Sequence, residues 1–262
     1  VFFRLHTLGL IGANPRLRSA PAILNDLNAE LMNVYQVVRD QVDELIDELT
    51  RHQLHVGDEA YYYYIRNLDR EPDFAHTSPV SRAARTIFLN KTGYNGLYRV
   101  NSRGLFNVPV GRYHNPAVLD RAVLKAAHYA LQRVDLMCSD FTQPMRLARP
   151  RDFVYIDPPY NTGSAFTHYD DGLEHSIWLS MMRDRLLLLK RLLAPSGVIF
   201  ISIDDDEGFY LKVLLDEVFL RKNYCGHFIW EKKKKPSFLD LNLGSVTEFV
   251  LCYAKDRSKS PP

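Results

Sequence analysis

Hydrophobic residues recur along the chain at spacings that predict helices in several stretches. A repeat of three or four residues over positions 29–54 predicts one or two amphipathic helices. Further helices are predicted over residues 116–131, 177–197 and 209–221. Pro195 and Gly197 are expected to end the helix over residues 177–197, because proline cannot continue a helix.

Short apolar runs between these helices predict buried strands. The runs cover residues 22–28, 134–141, 153–156, 197–203, 225–235 and 247–255. Strands that alternate with helices predict an α/β fold with a mostly parallel sheet. No helix separates the last two runs, so an antiparallel edge is expected there.

Composition narrows the class of protein. The 262 residues, 46% of them hydrophobic, can bury a real core, and the formal net charge of +2 requires any nucleic-acid contact to come from local basic clusters. The three cysteines have no metal or disulfide spacing, which predicts a protein of a reducing cytoplasm without a metal site. No apolar stretch is long enough to span a membrane, so no membrane association is expected. The chain begins with Val1, which indicates a fragment.

The sequence DPPY follows the apolar run of residues 153–156. It comprises Asp157, Pro158, Pro159 and Tyr160, and should occur by chance in roughly one in a thousand chains of this length. The prolines make a stiff turn that presents a carboxylate beside a backbone carbonyl. These acceptors suit the exocyclic amino group of a nucleobase, which could stack on the tyrosine ring. A purely structural turn is the alternative.

DPPY resembles the motif of amino-group DNA methyltransferases. The resemblance implies a Rossmann-like S-adenosylmethionine-dependent fold and, because Asp157 is the first residue, methylation of adenine N6. It also implies that Asp157 and the Pro158 carbonyl hydrogen-bond the amino group. The nitrogen then attacks the methyl group of S-adenosylmethionine in line, with no metal required. Protein or RNA methylation is a disfavoured alternative.

Acidic residues that close strands are candidates for binding the cofactor, since ligands in α/β folds lie outside the carboxyl ends of strands. Asp26 could bind ribose hydroxyls, and the family resemblance places it in a second motif. The same resemblance implies that Asp140 and Phe141 hold the cofactor's adenine. Helix capping is the alternative for Asp26. The run Asp204–Asp206 is interpreted as a solvated loop or a helix start.

Residues 81–113 begin as a helix and continue as a hairpin rich in arginine, asparagine and aromatic residues. Arginine can bind guanine and asparagine can bind adenine, whereas a solvated surface hairpin is the alternative. The candidates for DNA binding are Tyr94, Asn95, Arg99, Asn107, Pro109 and Arg112. Lys232–Lys235 could contact phosphates or protect an edge strand.

The chain resembles two different groups of DNA methyltransferases. Up to about residue 149 the chain resembles Dam-type adenine methylases, through NDLNAELMNVY, FLNKTGYNGLYRVNSRGLFNVPVGRY and CSDF. From residue 153 it resembles the Mod subunits of type III restriction-modification systems, through DPPYNTG and GVIFISIDDDE. The Dam type implies that Tyr94 and Asn95 approach the flipped adenine, Arg99 reads guanine and Pro109 touches thymine, within GATC. The implied partners are double-stranded DNA and a restriction subunit, and the implied compartment is a prokaryotic-type cytoplasm.

These resemblances predict a catalytic domain over residues 1–45 and 118–262, with an inserted target-recognition region over residues 46–117. The family's glycine-rich motif I is not found, and residues 1–5 resemble the helix that follows it. The alternative function is therefore a catalytically incomplete DNA-binding fragment that cannot hold the methyl donor. The two halves could equally be a composite of two families.

Overall fold

The computed structural model describes residues 22–101, 103–148, 153–161, 174–231 and 246–260. Contacts divide this described part into two compact units. The boundary between them in the sequence lies between residues 144 and 145. The expected boundary between residues 45 and 46 falls inside a helix of the first unit, Val42–Gln53. A separate recognition region over residues 46–117 stays a prediction. Among the described helices, none is long and apolar enough to cross a membrane.

The first unit is mainly helical. Its helices are α1 (Ala29–Asp40), α2 (Val42–Gln53), α3 (Glu59–Asn67), α4 (Pro79–Thr92), α5 (Arg121–Leu131) and α6 (Thr142–Leu147), the last of which extends past the unit boundary. Positions 29–54 thus form two helices, which Gln41 separates with a non-helical φ of −139°. Helix α5 begins five residues later than predicted because Asp120 caps it, accepting a hydrogen bond from the Val123 amide.

Buried side chains from the helices form the core of the first unit. Leu45, Leu49, Tyr62, Phe88 and Leu89 are all almost completely buried. Burial of each such side chain stabilises the unit by about 1.5–3 kcal/mol relative to exposure. Beside this core, β1 (Ala22–Asn25) and β2 (Val134–Met137) form a two-stranded parallel sheet.

The second unit contains a four-stranded sheet and two long helices. Its strands are β3 (Phe153–Ile156), β4 (Val198–Ile203), β5 (Tyr224–Glu231) and β6 (Thr247–Ala254), in the order β3-β4-β6-β5. Helix α7 spans His175–Leu192, and α8 spans Asp205–Leu215 and continues into a π-helical turn, Asp216–Leu220. Helix α7 ends before Pro195, as the sequence predicts.

The prediction of one mostly parallel sheet is wrong for the described strands. They form two sheets, and in the larger one only β3 and β4 are parallel, whereas β6 is antiparallel to both β4 and β5. Residues 250–254 of β6 are all buried, which suits a central strand. Strand β5 exposes Phe228 and Ile229 and forms the sheet edge. The antiparallel pairing of the last two strands is confirmed.

A buried histidine in the first unit predicts pH-dependent stability. His52 Nδ1 lies 2.9 Å from the Tyr61 hydroxyl, and its ring stacks on Phe88. Burial lowers the pKa of His52 below its ordinary value. The unfolded chain therefore binds more protons than the folded one as the pH falls through the unfolded pKa of about 6.5. We expect the unfolding free energy of this unit to be greatest above that pH and to decrease below it.

Urea unfolding at about pH 7.5 and about pH 5.5, on either side of the ordinary histidine pKa, measures this dependence. The variant His52→Gln retains a polar partner for Tyr61 and should unfold with a smaller difference between the two pH values. The matched variant His114→Gln removes an exposed histidine and should keep the difference of the parent protein. An unchanged pH dependence in His52→Gln would exclude His52 as its source.

Candidate active site

The DPPY turn (residues 157–160) follows β3 directly. Ile156 of β3 pairs with Ile201 of β4, so Asp157 comes to lie beside Ser202. The Ser202 hydroxyl, which is 1% exposed as a residue, donates a hydrogen bond of 2.5 Å to Oδ1 of the exposed Asp157. Among the described residues nothing hydrogen-bonds Asp157 Oδ2. A buried hydroxyl thus orients the exposed carboxylate.

The two proline carbonyls of the DPPY turn have different surroundings. The Pro159 carbonyl accepts a hydrogen bond of 3.0 Å from Nε1 of Trp178, a fully buried residue of α7. In the described part of the chain no such partner is found for the Pro158 carbonyl. Pro158 is a buried residue, and among the described residues its carbonyl, unlike that of Pro159, keeps its acceptor capacity. Its predicted catalytic role remains a prediction.

Tyr160 closes the turn and contacts the central strand of the sheet. Its hydroxyl donates a long hydrogen bond of 3.4 Å to Oε2 of Glu248, a buried residue of β6. Since β4 lies between β3 and β6 in the sheet, this contact joins the turn after β3 to a strand beyond β4. The ring itself is half-buried.

Sequence reasoning identified the turn but missed the residues that hold it. Ser202, Trp178 and Glu248 each contact a different residue of the DPPY turn. Ser202 had a usable signal, because it is a polar residue inside an otherwise apolar strand. The interpretation of Asp204 as a helix start is confirmed: its side chain accepts a hydrogen bond from the Asp206 amide at the beginning of α8.

The predicted cofactor-binding acids follow the carboxyl ends of β1 and β2. These strands are parallel neighbours, so Asp26 and Asp140 belong to the same edge of the small sheet. Oδ1 of Asp26 accepts a hydrogen bond of 2.7 Å from the Asn28 amide, and Asp140 accepts one of 3.0 Å from the Thr142 amide at the start of α6. Phe141 is half-buried. The alternative that Asp26 caps α1 is wrong, because Asn28 is the N-cap.

Asn25, which the sequence analysis did not identify, connects the segments that follow β1 and β2. The Asn25 side chain donates to the Ser139 carbonyl at 2.8 Å and accepts from the Ser139 amide at 3.1 Å. It also accepts from the Ser139 hydroxyl at 2.8 Å. The backbone positions of Asp26 and Asp140 are therefore fixed relative to each other. Whether the two carboxylates bind a nucleoside stays a prediction.

The recognition hairpin (residues 93–113) has few backbone pairs. Isolated antiparallel bridges join Gly93 to Val110 and Val100 to Phe106. Tyr94 and Asn95 are exposed at its start, where Asn95 adopts a left-handed φ of 53°. The later candidates Pro109 and Arg112 are also exposed. Four of the six predicted DNA-binding residues thus lie on the surface of this segment.

The remaining two candidates bind each other. Arg99 Nε donates to Oδ1 of Asn107 at 2.6 Å, and an Arg99 Nη donates to the Asn107 carbonyl at 3.1 Å. The Asn107 amide in turn donates to the Arg99 carbonyl at 3.0 Å. Asn107 orients the side chain predicted to read guanine.

An ion pair attaches the recognition hairpin to the helical core. Arg85, which is 5% exposed, lies 2.8 Å from Oδ2 of Asp69 and donates to the carbonyls of Ile65 and Arg66. The same Asp69 oxygen accepts a hydrogen bond of 2.7 Å from the Phe106 amide. Burial lowers the pKa of Arg85, and the neighbouring Asp69 opposes that shift. Asp69 thus connects a buried cation with the hairpin backbone.

Two protein-family models match the chain. The family described as D12 class N6 adenine-specific DNA methyltransferase matches residues 11–178, and a family described as DNA methylase matches residues 151–261. The matches overlap over residues 151–178, which include the DPPY turn. The sequence resemblance had predicted a change of similarity at this motif.

The chain is also similar to individual methyltransferases. It is 41% identical over 153 residues to the type II methyltransferase M1.LlaDCHI of Lactococcus lactis, covering 56% of this chain and 54% of the relative. It is 34% identical over 151 residues to the DNA adenine methylase of Escherichia coli, covering 56% and 51%. Identity to the probable type III HindVI Mod subunit of Haemophilus influenzae is 42% over 110 residues, covering 40% and 15%.

The chain thus spans about half the length of the first two relatives and a smaller part of the third. The D12-class match is nevertheless long, because it extends over more than half of this chain. It also includes the turn at which the structure presents an oriented carboxylate. The chain therefore belongs to the D12 class of N6 adenine-specific DNA methyltransferases.

Proposed function

We propose that the chain transfers a methyl group from S-adenosylmethionine to N6 of an adenine flipped out of duplex DNA. The observation that carries this proposal is the arrangement of the DPPY turn. Ser202 orients the exposed carboxylate of Asp157, and Trp178 occupies the Pro159 carbonyl. Within the part of the chain that the structure describes, Asp157 Oδ2 and the Pro158 carbonyl have no other donor and can accept hydrogen bonds from a substrate. Two adjacent acceptors match the two hydrogens of an amino group.

The chemistry of the proposed reaction follows from these acceptors. S-adenosylmethionine supplies an electrophilic methyl group when it is bound. Hydrogen bonds from N6 to Asp157 and the Pro158 carbonyl hold the amino group and direct its lone pair toward that methyl group. A nitrogen–carbon bond forms as the carbon–sulfur bond breaks, and the sulfur keeps the bonding electrons. The methylated nitrogen then releases a proton along its hydrogen bond to Asp157.

The acids of the first unit fit the methyl donor chemically. Asp26 uses one carboxylate oxygen for the Asn28 amide, and its other oxygen has no partner within the described ranges. Such an oxygen can accept from a ribose hydroxyl. We assign Asp26 to the ribose, and Asp140 with Phe141 to the adenine ring of the donor.

Extraction of the target base from the duplex costs a few kcal/mol. Stacking on the Tyr160 ring offsets about 1–3 kcal/mol of this cost. We assign Tyr94 and Asn95 to the space near the flipped base, and Asn107, Pro109 and Arg112 to the flanking duplex. GATC is the proposed site. Because the Haemophilus influenzae relative is a Mod subunit, a restriction subunit is a proposed partner.

The direct test uses methyl-labelled S-adenosylmethionine and duplexes that contain GATC. After digestion to nucleosides, N6-methyladenine should be the labelled product. A duplex in which purine, which lacks the amino group, replaces the GATC adenine of both strands should remain unlabelled. Label in cytosine would refute the adenine assignment. A folded sample that binds DNA but gives no calorimetric heat with S-adenosylmethionine would favour the DNA-binding fragment.

Arg99 gives a prediction about sequence discrimination. Loss of a bidentate contact to guanine should reduce the preference for GATC over a duplex with its guanine substituted by about 1–3 kcal/mol. We expect this loss in Arg99→Ala, measured as a ratio of dissociation constants. The matched variant Arg103→Ala removes an exposed arginine of the same hairpin and should preserve the ratio. An unaltered preference in Arg99→Ala would remove its proposed role in reading the base.

A further inference from the structure

Glu207 is a buried acid close to the DPPY turn. It is the third residue of α8 and is 4% exposed. Its Oε1 accepts a hydrogen bond of 2.7 Å from Nδ2 of Asn161, the residue directly after Tyr160. Nδ1 of His175, the first residue of α7, lies 3.0 Å from the same Oε1 and 2.8 Å from Oε2. One carboxylate therefore contacts two segments that adjoin the turn.

Both segments are structurally connected to the DPPY turn. Asn161 continues the turn in the chain, and its φ of 57° is a left-handed conformation that asparagine tolerates better than most residues. His175 precedes Trp178 by one helical turn, and Trp178 donates to the Pro159 carbonyl. Glu207 thus holds the backbone after the turn through Asn161. Through His175, Glu207 also positions the amino-terminal end of α7, and Trp178 of this helix contacts the turn.

Helix-dipole stabilisation does not explain why this acid is buried. Carboxylates in the first turn of a helix are favoured by its dipole, but the neighbouring Asp205 and Asp206 provide such charges from exposed positions. Burial of a carboxylate costs free energy unless partners compensate. The partners of Glu207 are the Asn161 amide and the His175 imidazole, and both belong to the surroundings of the turn.

We propose that Glu207 is a positioning residue for methyl transfer, which sets the geometry of the DPPY turn through Asn161 and through His175 with Trp178. This inference rests on the proposed function for its effect on rate. Its structural part, that Glu207 determines the environment of Trp178, can be measured without the reaction. Glu207 itself does not touch the reacting atoms.

Trp178 provides the independent measurement. The chain has two tryptophans, so in a Trp230→Phe background the intrinsic emission comes from Trp178. In this background we expect Glu207→Ala to shift the emission to longer wavelength. Glu207→Gln keeps an acceptor for Asn161 and an amide that can donate to His175, and should retain the parent emission. Asp205→Ala removes an exposed acid from the same helical turn and should also retain it.

The rate of methyl transfer is measured on the same variants. Glu207→Ala should lower kcat about a hundredfold, since a small displacement of reacting groups has that effect. The KM for duplex DNA should stay close to the parent value, because the duplex contacts are assigned to the recognition hairpin. Glu207→Gln should regain most of the lost rate. Asp205→Ala should match the parent.

The variant Asn161→Gly tests the same contact if Glu207→Ala does not fold. Glycine accepts the left-handed backbone but lacks the side chain that binds Glu207, so the same loss of kcat is expected. Parent emission in a folded Glu207→Ala variant, or parent kcat in both Glu207→Ala and Asn161→Gly, would overturn the inference. A parent protein without methyl transfer would instead contradict the proposed function, and the emission would still decide the structural part.

Discussion

Replacement of Asp157 by alanine is expected to lower the rate of methyl transfer about 10²–10³-fold, the effect of removing one preorganised hydrogen-bonding group from a reaction centre. The carboxylate is exposed, so its loss leaves no buried cavity and the fold should be retained. The Pro158 carbonyl would remain as an acceptor. DNA affinity should change little, because the duplex contacts are assigned to the recognition hairpin.

Single-turnover transfer of labelled methyl groups measures this effect apart from product release. The control variant Ser202→Ala keeps the carboxylate and removes the hydrogen bond that orients it. A hydrogen bond to a charged group contributes about 1.5–3 kcal/mol, so a loss of at least roughly tenfold is expected there. Rates in Asp157→Ala equal to those of the parent would remove the carboxylate from the mechanism.

Replacement of Asp69 by alanine is expected to destabilise the first unit by about 3–5 kcal/mol, because the charge of Arg85 would remain buried without its partner. The Arg85 side chain is 6% exposed, so water cannot replace the carboxylate. The Phe106 amide would also lose its acceptor. The recognition hairpin would then be less firmly attached, and affinity for duplex DNA should decrease as well.

Urea unfolding gives the change in free energy. The double variant Asp69→Ala with Arg85→Met removes both charges and should recover part of the lost stability. Asp73→Ala removes an exposed acid a few residues away and should change the free energy by less than about 0.5 kcal/mol. Equal stability of Asp69→Ala and Asp73→Ala would show that the ion pair contributes nothing.

Local sequence predicted the DPPY turn well because its stiffness depends on adjacent residues. Two prolines fix the backbone, and the apolar run before them predicted β3. The contacts of the turn were not predictable in this way. Glu207 lies 46 residues from Asn161, and Glu248 lies 88 residues from Tyr160. No local pattern reveals contacts over such separations.

The order of the strands could not be predicted from local sequence either. Alternating strands and helices predict an α/β fold, and the fold class is confirmed in that coarse sense. They do not show that β6 lies between β4 and β5, which depends on the burial of both its faces. Within the recognition hairpin, the resemblance to Dam-type methylases selected Tyr94 and Asn95, and the structure shows both to be exposed. It did not predict that Arg99 and Asn107 would bind each other.

The long sequence separations around the DPPY turn have a consequence for biosynthesis. When the four residues of the motif leave the ribosome, the chain that will supply Ser202, Glu207 and Glu248 has not yet been translated. Proline alone stiffens the nascent turn, and the last of its partners, Glu248, becomes available only after residue 248 is made. Ribosomes that stall before that codon would release polypeptides with an intact motif and an unassembled reaction centre.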